Sequence, residues 1–389
     1  MHIHICLVSA QLLPNYIPVR IDRPDMVYLI STAKMRSGLT VRLQRMLEQN
    51  GIQTVVPVHN LPDAGINAIR AYATELVATL QRNHAGARLT LNVTGGNKLM
   101  SIGMLEVFRD YAGLIYTDTD NGCIEHIDNG RREPIQFSLG IPEYLAAYGA
   151  LYRQAVSDQR DWCETAAARQ TITQQLADVA EDPRSANLIT SMNAMAVQAL
   201  SRNGQVLERP EQHFNWEPRG FWEHCVQTWA DAKLFSRISP QDIYFTRAEN
   251  TRYLAGVWLE EFAWLTAKNL GLNDVRSGVE IAWEKSPDTL NELDVLVMHN
   301  NKMLVIECKT LRMQNNPNFK PSDILYKIDS IGDNIKGLFG KAVLLSAMPP
   351  PAGMIERART QNIDILRPSE LEPYLQYWSD GGRAIFSRT

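Results

Sequence analysis

A chain of 389 residues, 45% of them hydrophobic, is long enough for two or three domains with ordinary buried cores. Its net charge of −4, with no strongly basic region, argues against a tight electrostatic clamp on duplex nucleic acid. The five cysteines are scattered without a C-x-x-C pair, which speaks against a zinc site or a disulfide framework, and no apolar run nears the ~18 residues of a membrane helix. A first strand with no basic leader before it fits a reducing cytoplasm.

Residues 1–140 alternate strands and helices. His2–Val8, Met26–Ile30, Gln53–Val58, Arg88–Val93 and Gly113–Thr117 read as strands, with helical patterns near 36–50, 65–83 and 98–111. Such alternation predicts an α/β fold with a parallel sheet covered by helices on both faces. In Leu91-Asn-Val-Thr-Gly-Gly-Asn-Lys-Leu-Met100 a strand ends, two glycines turn the chain and a helix begins. Free N–H groups at a helix N-terminus favour phosphate, glycines allow close approach, and Lys98 adds charge. Ligands of open α/β sheets bind outside the carboxyl ends of the strands, so Ser9-Ala10-Gln11 after the first strand is a second candidate. Neither G-x-G-x-x-G nor the P-loop spacing is present.

Thr94-Gly-Gly-Asn-Lys-Leu-Met100 resembles the TGG-[TN]-K-x-M motif of CARF domains, Rossmann-like sensors associated with CRISPR systems. The resemblance implies a symmetric homodimer with cyclic oligoadenylate across its interface. It also implies that Ser9, Ala10, Gln11, Thr94, Gly95, Gly96, Asn97 and Lys98 contact the ligand.

Residues 141–250 carry an acidic excess and read as helical to about 180, then over 187–203 and 221–234. Ile243–Phe245 and Thr251–Leu254 are placed to form a small hairpin. Helices followed by a hairpin suggest a winged-helix-like connector, whose negative balance favours a spacer over a DNA-binding module. Trp216, Trp222 and Trp229 are expected in its core or at an interface.

In residues 251–389, Gly256 to Asn269 reads as a helix with Trp258, Leu259, Phe262 and Leu265 at core spacing. Glu260 and Glu261 both flank that stripe, and helical phase does not choose between them. Two apolar runs, Val295–Met298 and Met303–Ile306, flank Asn300-Asn301, a pair that tolerates the positive φ of a tight turn. With that turn, Asp294 faces Glu307 and Glu292 faces Lys309, and facing Cβ atoms lie roughly 4.5–5.5 Å apart. Glu307 and Lys309 share one face of the strand, and Cys308 points the other way. Two carboxylates beside an ammonium suit a hard divalent cation, although a cross-strand salt bridge would use the same residues. Ser322–Gly337 reads as a further helix, with Lys327 on it, and Ala342–Leu345 as a buried strand.

Asp294…Glu307-x-Lys309 resembles the core of PD-(D/E)XK, or restriction-endonuclease-like, nucleases, with Leu293 where proline is usual. The resemblance implies that Asp294 and Glu307 hold Mn²⁺ or Mg²⁺ and that Lys309 assists hydrolysis of a phosphodiester. The G-x-W-[L/F]-E pattern of the family favours Glu260 as a fourth catalytic residue.

A CARF domain (1–140), a connector (141–250) and a nuclease domain (251–389) together match the ancillary CRISPR antiviral nucleases switched on by cyclic tetra-adenylate. The substrates implied are single-stranded RNA or DNA, or supercoiled DNA. The competing expectations are a DNA-binding regulator with an inactive nuclease core and a Rossmann enzyme acting on a mononucleotide.

Overall fold

A computed structural model describes residues 1–310, 325, 328 and 340–381. The expected helix Ser322–Gly337, with Lys327, lies outside the described residues apart from Leu325 and Ile328. The chain divides into two compact units, Met1–Tyr152 with Trp283–Pro287, and Arg153–Ala282 with Asp288–Thr389.

The first unit is built on a seven-stranded sheet. Its strands are β1 (His2–Leu7), β2 (Met26–Ile30), β3 (Val55–Val58), β4 (Arg88–Asn92), β5 (Gly113–Asp118), β6 (Cys123–His126) and β7 (Arg131–Pro134). Their spatial order is β3-β2-β1-β4-β5-β6-β7. The first five are parallel, as the alternation predicts, and β6 and β7 extend the sheet as antiparallel strands not expected from the sequence. Helices α1 (Leu13–Asp22), α2 (Leu39–Gln49), α3 (Ile66–Asn83) and α4 (Lys98–Phe108) connect the parallel strands. Ile3, Ile5 and Leu7 of β1 pack with Leu89 and Leu91 of β4 and with Met100, Met104 and Phe108 of α4. The order reverses between β1 and β4, so the loops that follow them open side by side at a switch point, where such sheets bind ligands.

The region after 140 departs from a single helical run. Helix α5 (Ile141–Ala147) stops at Tyr148-Gly149, and β8 (Ala150–Ala155) follows before α6 (Arg160–Ala168) and α7 (Gln170–Glu181). The expected hairpin of 243–245 with 251–254 is not formed. Instead β9 (Glu211–His213), β10 (Ser236–Arg237) and β11 (Asp242–Tyr244) make an antiparallel sheet in the order β10-β11-β9. Residues 251–254 are helical, ending α10 (Ala248–Arg252) and opening a π turn, Tyr253–Val257. The four residues Thr251–Leu254 are too few for periodicity to separate strand from helix.

The second unit carries a six-stranded sheet. Strands β12 (Asp274–Trp283), β13 (Ser286–His299), β14 (Lys302–Lys309), β15 (Lys341–Ser346) and β16 (Asp364–Leu366) join β8 in the order β16-β15-β14-β13-β12-β8. Val295–Met298 and Met303–Ile306 are buried on both sheet faces, which is why they read as continuous apolar runs. Helix α11 (Trp258–Asn269) lies against β14. Helices α7, α8 (Ala186–Ala199) and α9 (Phe221–Asp231) share a core with α11 and this sheet: Leu176, Met192 and Trp229 belong to the same cluster as Trp258, Val295 and Ile306. Trp229 is fully buried, and Trp216 and Trp222 pack against each other with their rings tilted at that core's edge.

Candidate active site and sensor loop

The hairpin of β13 and β14 sets the first geometry. Asn300 and Asn301 take φ of 48° and 62°, the left-handed pair of a two-residue turn, and the register runs from His299 opposite Lys302 to Val295 opposite Ile306. One residue beyond this ladder, the Asp294 carboxylate accepts the Cys308 N–H at 2.7 Å. Lys309 Nζ donates to Glu307 Oε1 at 2.7 Å and to the Cys308 carbonyl at 3.0 Å, and lies 3.7 Å from Asp294 Oδ2. Glu307 is buried. Burial would lower the Lys309 ammonium, but Asp294 and Glu307 outweigh it and hold Lys309 above the usual lysine range. The Cys308 thiol is buried on the opposite face and raised by that burial, which makes it inert.

Glu260 and Glu261 have opposite surroundings. Burial, then the nearby Asp294 and Glu292 carboxylates, push the Glu260 carboxyl well above the usual range, with Lys309 opposing and Glu307 adding to the push. Glu260 is half-buried and within electrostatic reach of the hairpin residues. Glu261, fully buried, faces the other way. Arg169 at the start of α7 grips both its oxygens, Thr173 donates to Oε1 at 2.8 Å, and the Tyr253 ring stacks 4.0 Å from that guanidinium. A charge bound in this way is structural.

Three carboxylates, the half-buried Glu260 and Asp294 and the buried Glu307, with the exposed Glu292 close enough to repel, share Lys309 as their neighbouring ammonium among the described residues. That excess of oxygen ligands fits a divalent cation, which needs only one or two carboxylates and fills its other positions with water and phosphate. Among the described residues, the sets of three donors within 4.8 Å of one another are His2–His4–Asp22 and Asp118–Cys123–Glu125. Both already hold a guanidinium: Arg88 donates to His2 Nδ1, and Arg132 engages Glu125 and Cys123. Glu260, Asp294 and Glu307 are more widely spaced.

The second geometry is the turn between β4 and α4. A Cβ on Gly95 would lie 1.7 Å from the Leu7 carbonyl oxygen, so only glycine lets this turn sit on the end of β1. Gly96 has φ of +74°. Thr94 is drawn inward: its hydroxyl donates to Asn92 Oδ1 at 2.6 Å and accepts the Thr117 N–H at 2.7 Å. Asn97 caps α4, accepting the Met100 N–H at 3.0 Å while its amide donates to the Asp63 carbonyl at 2.9 Å. Lys98, in the first turn of α4, is exposed. Ser9 and Gln11 are half-buried, with Ala10 exposed, and the Ser9 hydroxyl bonds the Gln11 carbonyl at 3.2 Å. The candidate ligand residues thus gather at one end of neighbouring strands, but the side chains of Thr94 and Asn97 are committed to the turn itself. Sequence reasoning missed Asn92, Asn15 and Ser101, whose side chains brace these loops through Thr94, the Leu7 carbonyl and the Gly95 carbonyl. The polar residues flanking the glycine pair were the available signal.

Residues 3–144 match the family model of the Card1 CARF domain, and residues 247–380 match that of the Card1-like endonuclease domain. Among solved structures, Can2 from Sulfobacillus thermosulfidooxidans in complex with cyclic tetra-adenylate is 23% identical, with a TM-score of 0.77 over 97% of each chain. VC1899 from Vibrio cholerae is 22% identical, with a TM-score of 0.78 over 98% of this chain and 99% of the other. A type III CRISPR defence DNA nuclease activated by cyclic oligoadenylate is 17% identical, with a TM-score of 0.51 over 90% of this chain and 46% of the other. At these identities the likeness is one of fold. No curated protein matches the chain in sequence. With a CARF domain ahead of an endonuclease domain, each matched by its own model, the chain belongs to the Card1-like CARF nucleases.

Proposed function

We propose that this nuclease hydrolyses phosphodiester bonds with a divalent cation, Mn²⁺ or Mg²⁺, when cyclic oligoadenylate occupies its CARF domain. The observation that carries the reading is Lys309 held between Glu307 and Asp294 on the hairpin, and it is supported by the push that the same carboxylates exert on Glu260 of α11. Asp294 and Glu307 would hold the ion, with Glu260 closing the group. When bound, the ion supplies Lewis acidity toward a phosphate oxygen and an attacking water. Lys309, held protonated by its carboxylate neighbours, places a fixed positive charge where negative charge develops on the phosphate. The Asp294 carboxylate is aimed by the Cys308 N–H, so its position is set before substrate arrives.

The activator is read as cyclic tetra-adenylate, supported by the paired loops at the β1–β4 switch point and by the ligand held in the similar Can2 structure. A two-fold ring suits a two-fold site, hence a homodimer with one ring per pair of chains. Binding would favour a cleavage-competent geometry only to the extent that the ring binds that geometry more tightly. The substrates are single-stranded RNA or DNA, or supercoiled DNA, in the cytoplasm. No helix of the described residues is long and apolar enough to cross a membrane.

The test is cleavage of fluorescent single-stranded RNA and DNA and of supercoiled plasmid, in Mn²⁺ or Mg²⁺, with and without cyclic tetra-adenylate. Ligand-dependent cleavage that Glu307→Ala abolishes is the expected result. Tight ligand binding with no cleavage of any substrate would instead point to a sensor with an inactive nuclease core.

A further inference from the structure

Asn193 lies on α8, about sixty residues before the nuclease motifs begin, and is buried. Its amide nitrogen donates to two acceptors at once, the Ala255 carbonyl by a short bond and Thr310 Oγ1 at 3.0 Å. Ala255 sits in the π turn that leads into α11 and Glu260. Thr310 directly follows Lys309 at the end of β14. One side chain therefore ties together the two segments that carry Glu260 and Glu307-x-Lys309. We infer that Asn193 is a positioning residue of the nuclease site, locking the start of α11 to the end of β14 so that Glu260 and Lys309 meet at a fixed separation.

Three further observations support this. The amide orientation follows from chemistry, because the Ala255 carbonyl can only accept and so must face the nitrogen. Gly256 leaves the space the contact needs: a Cβ there would press on Thr310 Oγ1 at 3.0 Å and lie 3.7 Å from Asn193 Nδ2, on backbone with φ of +149°. Asn193 Oδ1 is buried and has no hydrogen-bond partner among the described residues. Burying an unpaired amide oxygen costs stability that a leucine of similar size would not. Departures from a local rule in an otherwise consistent fold tend to mark functional positions. A π turn at the mouth of a helix is a further such departure.

The inference rests on the nuclease reading above, and the experiment separates the two. Asn193→Leu, Thr310→Val and Thr310→Ser are made in the full chain. Turnover is measured on a single-stranded oligonucleotide with saturating cyclic tetra-adenylate. Mn²⁺ binding is followed by calorimetry and folding by urea titration. Asn193→Leu and Thr310→Val are expected to lower kcat on the order of 10- to 100-fold, the scale of a small misplacement. KM should hold within about twofold, Mn²⁺ should bind more weakly, and both losses should exceed what any fall in the urea midpoint explains. Thr310→Ser, which keeps the hydroxyl, should recover turnover and Mn²⁺ binding. Wild-type kcat and Mn²⁺ affinity in Asn193→Leu and Thr310→Val, or a loss that follows the unfolded fraction alone, would overturn the inference and leave the nuclease reading intact. A wild-type protein that neither cuts nor binds Mn²⁺ would take down both.

Discussion

The two motif-bearing turns use their residues in contrasting ways. Around Gly95-Gly96 the side chains of Thr94 and Asn97 are spent on the fold, which leaves the backbone of the turn and the exposed Lys98 as the proposed ligand contacts. Around Asn300-Asn301 the turn is only a ruler, and the proposed chemistry lies in side chains several residues away that perturb one another's charge. A sensor site can therefore be damaged by changing backbone shape, whereas the nuclease site is damaged by changing charge at nearly constant shape.

The largest effect should come from charge. Asp294→Asn keeps size but loses a cation ligand, and cleavage should drop about a thousandfold, roughly 4 kcal/mol, while calorimetric binding of cyclic tetra-adenylate is unchanged. Residual cleavage above a tenth of wild type would remove Asp294 from the ion site. Next, the neighbouring glutamates should separate. Glu261→Ala leaves the Arg169 guanidinium unpaired in a buried site and should cost about 3 kcal/mol in urea denaturation. Glu260→Gln should lose cleavage with no loss of stability, because it relieves repulsion from Asp294 and Glu292. Equal stability losses in the two variants would mean that Glu260 is also structural. On the sensor side, Gly95→Ala drives a methyl into the Leu7 carbonyl. It should destabilise the first unit by about 1–3 kcal/mol and weaken activator binding, whereas unperturbed binding would show that the turn can shift.

A smaller effect is expected at Lys98. Lys98→Ala should reduce activator affinity about tenfold at low salt, an exposed charge contribution that fades as salt rises. A salt-independent loss would indicate a packing role. The last effect concerns pH. Burial, with His4 and Arg88, lowers His2 to about 4, against Asp22 and Asp25. An unfolded histidine takes up its proton near 6.5, so between these values the unfolded chain binds more protons and stability falls as pH drops from about 6.5 toward 4. His2→Gln should flatten that part of the stability curve, and an unaltered slope would assign it to other groups.

The hairpin was legible in the sequence because its information is local: an asparagine pair, two apolar runs and strict alternation fix the register. The parallel sheet was legible for the same reason, each strand being followed by its own helix. Helical phase did not single out Glu260, which only the motif resemblance favoured. Its neighbour is claimed by Arg169, 92 residues earlier, and the π turn before α11 re-phases the helix on which both stand. Strand β8 was missed because a short segment such as Ala-Leu-Tyr-Arg-Gln-Ala carries little periodicity beside a helix. Asn193 is invisible for a plainer reason: one asparagine in a helical pattern looks like any residue on a wetted face, and only its distant partners reveal it.

The Asn300-Asn301 turn has a bearing on how such chains can diverge. A single inserted or deleted residue there would slip β14 by one position against β13 and rotate Glu307 and Lys309 to the face now occupied by Cys308. Related sequences that keep the activity should therefore vary freely in the composition of this connection but hardly at all in its length, and a peptide tag spliced into it should abolish cleavage without exposing the core.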